Sequence, residues 1–184
     1  MSQRSLEARD AVARAKQPDA AFTAGVRFRP AIAADVPAAT AVINHAYLRE
    51  AWLLPPPRIT EEGLAHEMRD PDVELLIAEF CGEIAGCVRY RRREQDTHFG
   101  MLAVAPSYQG RGLASLLVGR VEDDARAAGS PAVRLDCAKE NNLVPLYESM
   151  GYSVEREVPD SYYGHKGPIT VSYMVKHLNG TSDD

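Results

Sequence analysis

The residues best suited to chemistry lie in one run, Val104-Ala105-Pro106-Ser107-Tyr108-Gln109-Gly110-Arg111-Gly112-Leu113-Ala114. The run stands between an alternating apolar segment, Thr97 to Val104, that reads as a strand, and a helical stripe beginning at Leu113. Its glycines let backbone approach a ligand closely. Consecutive N–H groups at a helix start form a concave anion site that the helix dipole reinforces, so the run suits a pyrophosphate. Two other phosphate chemistries fail on residue type. A Walker A loop needs Lys and then Ser or Thr after its last glycine, and Gly112 is followed by Leu113. A dinucleotide fingerprint needs Gly or Ala where Ser115 stands and an acid ending the next strand, whereas Glu122, Asp123 and Asp124 fall inside the helical stripe. A lone Gly-x-Gly is also an ordinary turn, so a second feature must decide.

That feature is Glu140-Asn141-Asn142-Leu143-Val144-Pro145-Leu146-Tyr147-Glu148-Ser149-Met150-Gly151-Tyr152. Together the two runs resemble the GNAT superfamily of acyl-CoA-dependent N-acyltransferases. The family's Gln/Arg-x-x-Gly-x-Gly/Ala loop after Val-x-Pro is matched by Gln109-x-x-Gly112-x-Ala114 after Val104-Ala105-Pro106. Its Asn followed by Phe/Leu-Tyr-Glu-x-x-Gly-Phe/Tyr is matched by Leu146 to Tyr152. The resemblance runs from Val26 to Leu178. It implies acetyl-CoA as acyl donor, a primary amine of a small molecule or peptide as acceptor, and direct attack in a ternary complex. A non-catalytic acyl-CoA sensor that keeps the cradle without the transfer is the alternative.

By the same resemblance, the backbone of Met101, Leu102, Ala103 and Val104 pairs with the pantetheine arm. Gln109, Gly110, Arg111, Gly112, Leu113 and Ala114 hold the pyrophosphate. Asn141 or Asn142 faces the coenzyme, and Tyr147 stands near its sulfur, where a phenol donates a proton to the leaving thiolate. The acceptor pocket is expected at Tyr47, Trp52 and the loop carrying Tyr162. Structural roles compete for several of these residues. Tyr147 shares an apolar stripe with Leu143, Leu146 and Met150, Asn142 would cap the helix that follows, Arg111 would be a solvated loop side chain, and Trp52 would anchor a Pro-rich loop.

An amine acceptor needs a base. His98 is the first candidate, because its unperturbed pKa lies near 6.5 and strict alternation puts it on one face with Gly100, Leu102 and Val104. Glu79 and a water relay are the alternatives. Cys137 ends a strand near the expected cleft, but a small buried thiol is its ordinary role and direct transfer needs no acyl-enzyme. His45, His66, His165 and His177 lack metal-ligand spacing, and no metal is expected.

The elements that must position these groups alternate along the chain. Val26 to Ala31 reads as a strand. Asp35 caps a helix carrying Val36, Ala39, Ile43, Ala46 and Tyr47, and Thr60 caps a second that ends at Asp70-Pro71. Val73 to Phe80, Ile84 to Tyr90 and Thr97 to Val104 form an antiparallel meander, since Cys81-Gly82-Glu83 is a hairpin-length connection. Leu113, Leu116, Leu117, Val121 and Ala125 mark a helix stopped by Gly129. Ala132 to Ala138, a helix around Tyr147, and strands Tyr152 to Glu157 and Ile169 to Leu178 complete an α/β domain. The GNAT fold it implies has a mixed central sheet of about seven strands flanked by about four helices. Residues 25–178 would form that domain, with residues 1–24 a flexible or weakly helical extension and 179–184 a polar tail.

Composition bounds the partners. The chain has 184 residues, 21 Lys+Arg against 26 Asp+Glu and a net charge of −5, which disfavours nucleic-acid binding. Three cysteines form no C-x-x-C pair, no leader is visible, and no apolar run approaches a membrane span, so a cytoplasmic protein without membrane association is expected. Self-association as a homodimer is left open.

Overall fold

A computed structural model describes residues 19–160 and 169–178. Seven strands form one sheet: β1 (Arg27–Pro30), β2 (Val73–Phe80), β3 (Glu83–Arg92), β4 (Thr97–Val104), β5 (Ala132–Ala138), β6 (Ser153–Asp160) and β7 (Ile169–His177). Their order is β1-β2-β3-β4-β5-β7-β6, and β4–β5 is the parallel pair among antiparallel neighbours. Five α-helices are described: α1 (Ala20–Gly25), α2 (Val36–Ala46), α3 (Glu61–Glu67), α4 (Leu113–Ala127) and α5 (Val144–Ser149). The mixed α/β sheet expected from the sequence is present. The helix beyond the expected four is α1, inside the N-terminal extension.

The hairpin between β2 and β3 turns on Cys81 and Gly82 alone, both at positive φ (52° and 81°), as a type I′ turn requires. Thr60 caps α3, its Oγ1 accepting the Gly63 N–H at 3.0 Å. Asp35 holds the N-cap position of α2, but its side chain does not bond the helix. Its carboxylate accepts the Ile32 N–H at 2.8 Å and two bonds from the Arg29 guanidinium at 2.6 and 2.9 Å, because a charged fork on β1 outbids a helix N–H.

Two cores lie on the two faces of the sheet. On one, the stripe Leu113, Leu117, Val121 and Ala125 of α4 packs with Val88, Tyr90, Phe99 and Leu135, joined by Tyr147 of α5 and Phe22 of α1. Each fully buried Leu or Val there contributes about 1.5–3 kcal/mol. A Cβ at Gly86 would sit 2.8 Å from the Ala103 carbonyl oxygen of β4 and 3.2 Å from Leu117 Cδ1 of α4, so a side chain here would collide with the β4 backbone. On the other face, Val36, Ala39 and Ile43 of α2 and Leu64 of α3 cover Leu75, Ile77, Cys87, Met101 and Ala103.

One irregularity shapes the centre of the molecule. Arg89 pairs with Gly100 and Cys87 with Ala103, so Met101 and Leu102 together oppose the single residue Val88. This is a β-bulge, and Met101 takes φ +49° to make it. The bulge changes which face each side chain meets. Phe99 packs with the α4-side core, Met101 and Ala103 with the α2-side core, and Leu102 and Val104 with the α4 side again. Strict alternation put His98 on one face with Leu102 and Val104. The bulge places it on the opposite one, beside its cross-strand partner Arg91. Beyond the bulge β4 leaves β5: the two pair only at Thr97↔Val133 and His98↔Arg134, while β5 stays with β7 over its whole length.

Candidate functional site

The parting of β4 and β5 opens a cleft of about 790 Å³. Leu102 and Val104 of β4 form one wall, and Asn141, Leu143, Leu146 and Tyr147 the facing one. Gln109, Gly110, Gly112, Ala114 and Ser115 close one end. Tyr47, Arg49, Glu50 and Trp52, from the chain that follows α2, also line the cleft, with Arg49 reaching Gln109.

The glycine end is a set of free donors. Gly110 and Gly112 have φ of +75° and +85°, a conformation that costs a non-glycine residue about 1–2 kcal/mol. Gly112 occupies the N-cap of the fifteen-residue α4 and offers no side chain, and the first turn carries no acid. The first-turn N–H groups are therefore left for a ligand at the positive end of the dipole. Gln109 laces this loop in place. Its Nε2 donates to the Val104 carbonyl at 3.0 Å, and its Oε1 accepts from Arg49 Nη2 at 3.3 Å. Arg111 is not a solvated side chain: its guanidinium sits 4.9 Å from the centre of the Phe22 ring. A diphosphate fits this cradle, since the donors are uncapped and no Cβ fills the space at Gly112.

Other expected contacts are backbone matters only. Leu113 is buried in the α4-side core, and Met101 and Ala103 in the α2-side core, so their side chains do not reach the cleft, and the Ala103 carbonyl faces Gly86 of β3. Asn141 lines the cleft, whereas Asn142 turns through φ +56° and donates its amide to the Glu140 carbonyl at 3.3 Å. Asn142 does not cap α5: Leu143 holds that place, and no side chain caps the helix.

Tyr147 is 7% exposed, its ring 6.0 Å from that of Phe99 and 6.3 Å from that of Tyr152. It is thus both a core aromatic and a cleft residue. Burial first, then the neighbouring Tyr47, Cys137, Glu50 and Asp136, hold its phenol well above the ordinary tyrosine value. It stays protonated, and its hydroxyl makes no hydrogen bond among the described residues. Cys137 is buried and its thiol is pushed up to about 11 by that burial, which keeps it a thiol at neutral pH. Trp52 borders the cleft and also packs against the cluster of Leu53, Ala138, Ile169 and Val171. Tyr162 lies outside the described residues.

The candidate bases separate. His98 is mostly buried, does not border the cleft, and its Nε2 lies 2.8 Å from Asp136 Oδ1, which holds the Asp136 carboxyl below the usual range. Glu79 sits on β2 with its carboxylate 3.1 Å from Arg29, in the part of the sheet remote from the cleft. Sequence reasoning missed Glu50. It lies half-buried on the 3-10 turn Tyr47–Glu50, where burial raises its carboxyl above the ordinary value and the Arg58 charge and Asn141 amide pull it partly back. In the sequence it is a lone acid after a helical stripe, outside both motifs. Only the return of that turn over the parted strands brings it to the cleft. Among the described residues no group of three His, Cys, Asp or Glu side chains is placed to hold a metal ion.

Known proteins share this architecture. Residues 46–161 match the family model of the acetyltransferase (GNAT) domain. An acetyltransferase of Sodalis glossinidius is 34% identical over 93 residues, which make up 48% of this chain and 63% of that one. The chain covers less than two thirds of the length of the curated relatives it matches. The YncA protein of Salmonella typhimurium, solved with its cofactor acetyl-CoA, superposes with a TM-score of 0.69 at 23% identity, covering 86% of this chain and 96% of its own. Spermidine N-acetyltransferase from Vibrio cholerae, solved with CoA and spermine, gives 0.70 at 19% identity, over 84% and 96%. With the family model spanning more than half of its length, the chain belongs to the GNAT acetyltransferase family.

Proposed function

We propose that the protein is an N-acetyltransferase that moves an acetyl group from acetyl-CoA to a primary amine of a small molecule or peptide, by direct attack in a ternary complex. One observation carries this reading: a single cleft is bordered by uncapped helix donors and by a protonated tyrosine whose hydroxyl makes no hydrogen bond among the described residues. The α4 N-terminus and the Gly110–Gly112 backbone hold the diphosphate. The edge of β4 that has left β5 offers N–H and C=O groups to the pantetheine arm, and N–H groups near Leu102 to Val104 stabilise negative charge on the carbonyl oxygen.

In the transfer the amine nitrogen forms a bond to the acetyl carbon while the C–S bond breaks, its electron pair going to sulfur. Tyr147 gives the thiolate a proton and recovers one from solvent. The high value of the Cys137 thiol supports transfer without an acyl-enzyme. Thiol release from acetyl-CoA is measured against a panel of primary amines. Amine-dependent release is the expected result. Bound acetyl-CoA with no turnover of any amine would favour the non-catalytic sensor instead.

A further inference from the structure

The acids that line the cleft or were candidates for its base differ in what they already hold. Asp136 is paired with His98, Glu140 Oε1 accepts the Thr170 N–H at 2.9 Å, and Glu79 is paired with Arg29. Glu50 borders the cleft, is half-buried, and has no ion pair among the described residues. The Arg58 guanidinium, whose charge reaches it, is stacked 5.2 Å from the Tyr47 ring centre. A carboxylate withdrawn from water without a counter-ion is costly, and an entering cation would offset that cost. The walls beside it, Tyr47 and Trp52, are aromatic and accept a cation over their faces.

We propose that Glu50 receives the acceptor: its carboxylate is the counter-ion of a cationic primary amine and takes the proton that the amine must lose before it attacks. The assignment rests on the acetyltransferase reading and names the substrate class and base for it. The groups that interact with Glu50 are Tyr47 of its own turn, Arg58 from the segment before α3, Asn141 from the turn after β5, Cys137 of β5 and Tyr147 of α5. One ammonium proton passes to Glu50, and the nitrogen lone pair so freed forms the N–C bond. The second proton is lost as the amide forms. Sulfur takes one proton from Tyr147, so the net release to water is a single proton. The elevated carboxyl suits this task better than an ordinary glutamate, whose basicity is too low to compete at neutral pH.

The test compares wild type with Glu50→Gln and Glu50→Asp, using acetyl-CoA and n-butylamine, 1,4-diaminobutane and alanine amide as acceptors. Calorimetry gives the acetyl-CoA Kd, and thiol release gives kcat/KM as a function of pH. Glu50→Gln is expected to leave the Kd unchanged, lower kcat/KM for the amines by about 10²–10⁴-fold and abolish the acidic limb of the profile. Glu50→Asp should recover part of the rate. An unaltered profile in Glu50→Gln would overturn the assignment, as would an acidic limb that survives in Glu50→Gln and vanishes in His98→Ala. Both outcomes leave the transferase reading standing. Wild-type protein that binds acetyl-CoA and turns over none of the amines overturns that reading, and the role of Glu50 with it.

Discussion

A phenol that burial holds in its protonated form makes a proton donor but no base, so the role proposed for Tyr147 is confined to donation. Tyr147→Phe removes the donor and keeps the ring against Phe99 and Tyr152. It is expected to lower kcat by about 10²–10⁴-fold with acetyl-CoA affinity unchanged, as single-turnover and binding measurements would show. The cysteines give a second test at this scale. Cys81 is exposed, while burial pushes the thiols of Cys137 and Cys87 up to about 11 and about 12. Iodoacetamide at neutral pH should label Cys81 and spare the other two, and intact mass during turnover should show no acetylated protein. An acetyl adduct on Cys137 would contradict direct transfer.

The elements explain why the cradle opens where it does. Gly112 at φ +85° starts α4 without a side chain in the donor cluster, so Gly112→Val should cost about 1–2 kcal/mol of stability and weaken acetyl-CoA binding more than tenfold in a calorimetric titration. Phe22 ties α1 to the same loop through its stack on Tyr108 at 5.7 Å and through Arg111. Phe22→Ala should lower the unfolding free energy by about 3 kcal/mol, read from urea titration, and loosen the loop. The sheet was legible in the sequence because β2, β3 and β4 are short apolar runs and a hairpin-length connection, Cys81-Gly82-Glu83, separates the first two. The α4 stripe and the Thr60 cap were legible for the same local reasons. The cradle was legible because its chemistry is carried by consecutive residues. The face of His98 was not, because a bulge at Met101 is a backbone event with no side-chain signature, and it overrides period-two reasoning. Glu50 and Phe22 escaped for a related reason: each acquires its role from contacts with residues far along the chain.

Over the whole molecule, the net charge of −5 disfavours nucleic acid as a partner, and in the proposed function the coenzyme's phosphates would be met locally by α4 and its loop. No helix of the described residues is long and apolar enough to cross a membrane. Stability should follow the paired carboxylates. The Arg29 guanidinium holds Asp35 below its ordinary value, and His98 does the same for Asp136. A depressed carboxyl stabilises the fold above its unfolded pKa, and that contribution is lost as pH falls through the folded one. Unfolding free energy should therefore drop as pH is lowered below about 4, followed by circular dichroism in urea. Glu50 acts in the opposite sense, its ionisation costing stability as pH rises above the ordinary glutamate value. The central claim is that the opening between β4 and β5 is the acetyl-CoA site, and amide hydrogen exchange with and without acetyl-CoA tests it most directly. Slowed exchange at residues 100–104 and 109–115 is the predicted result, and unchanged exchange there at saturating acetyl-CoA would contradict it.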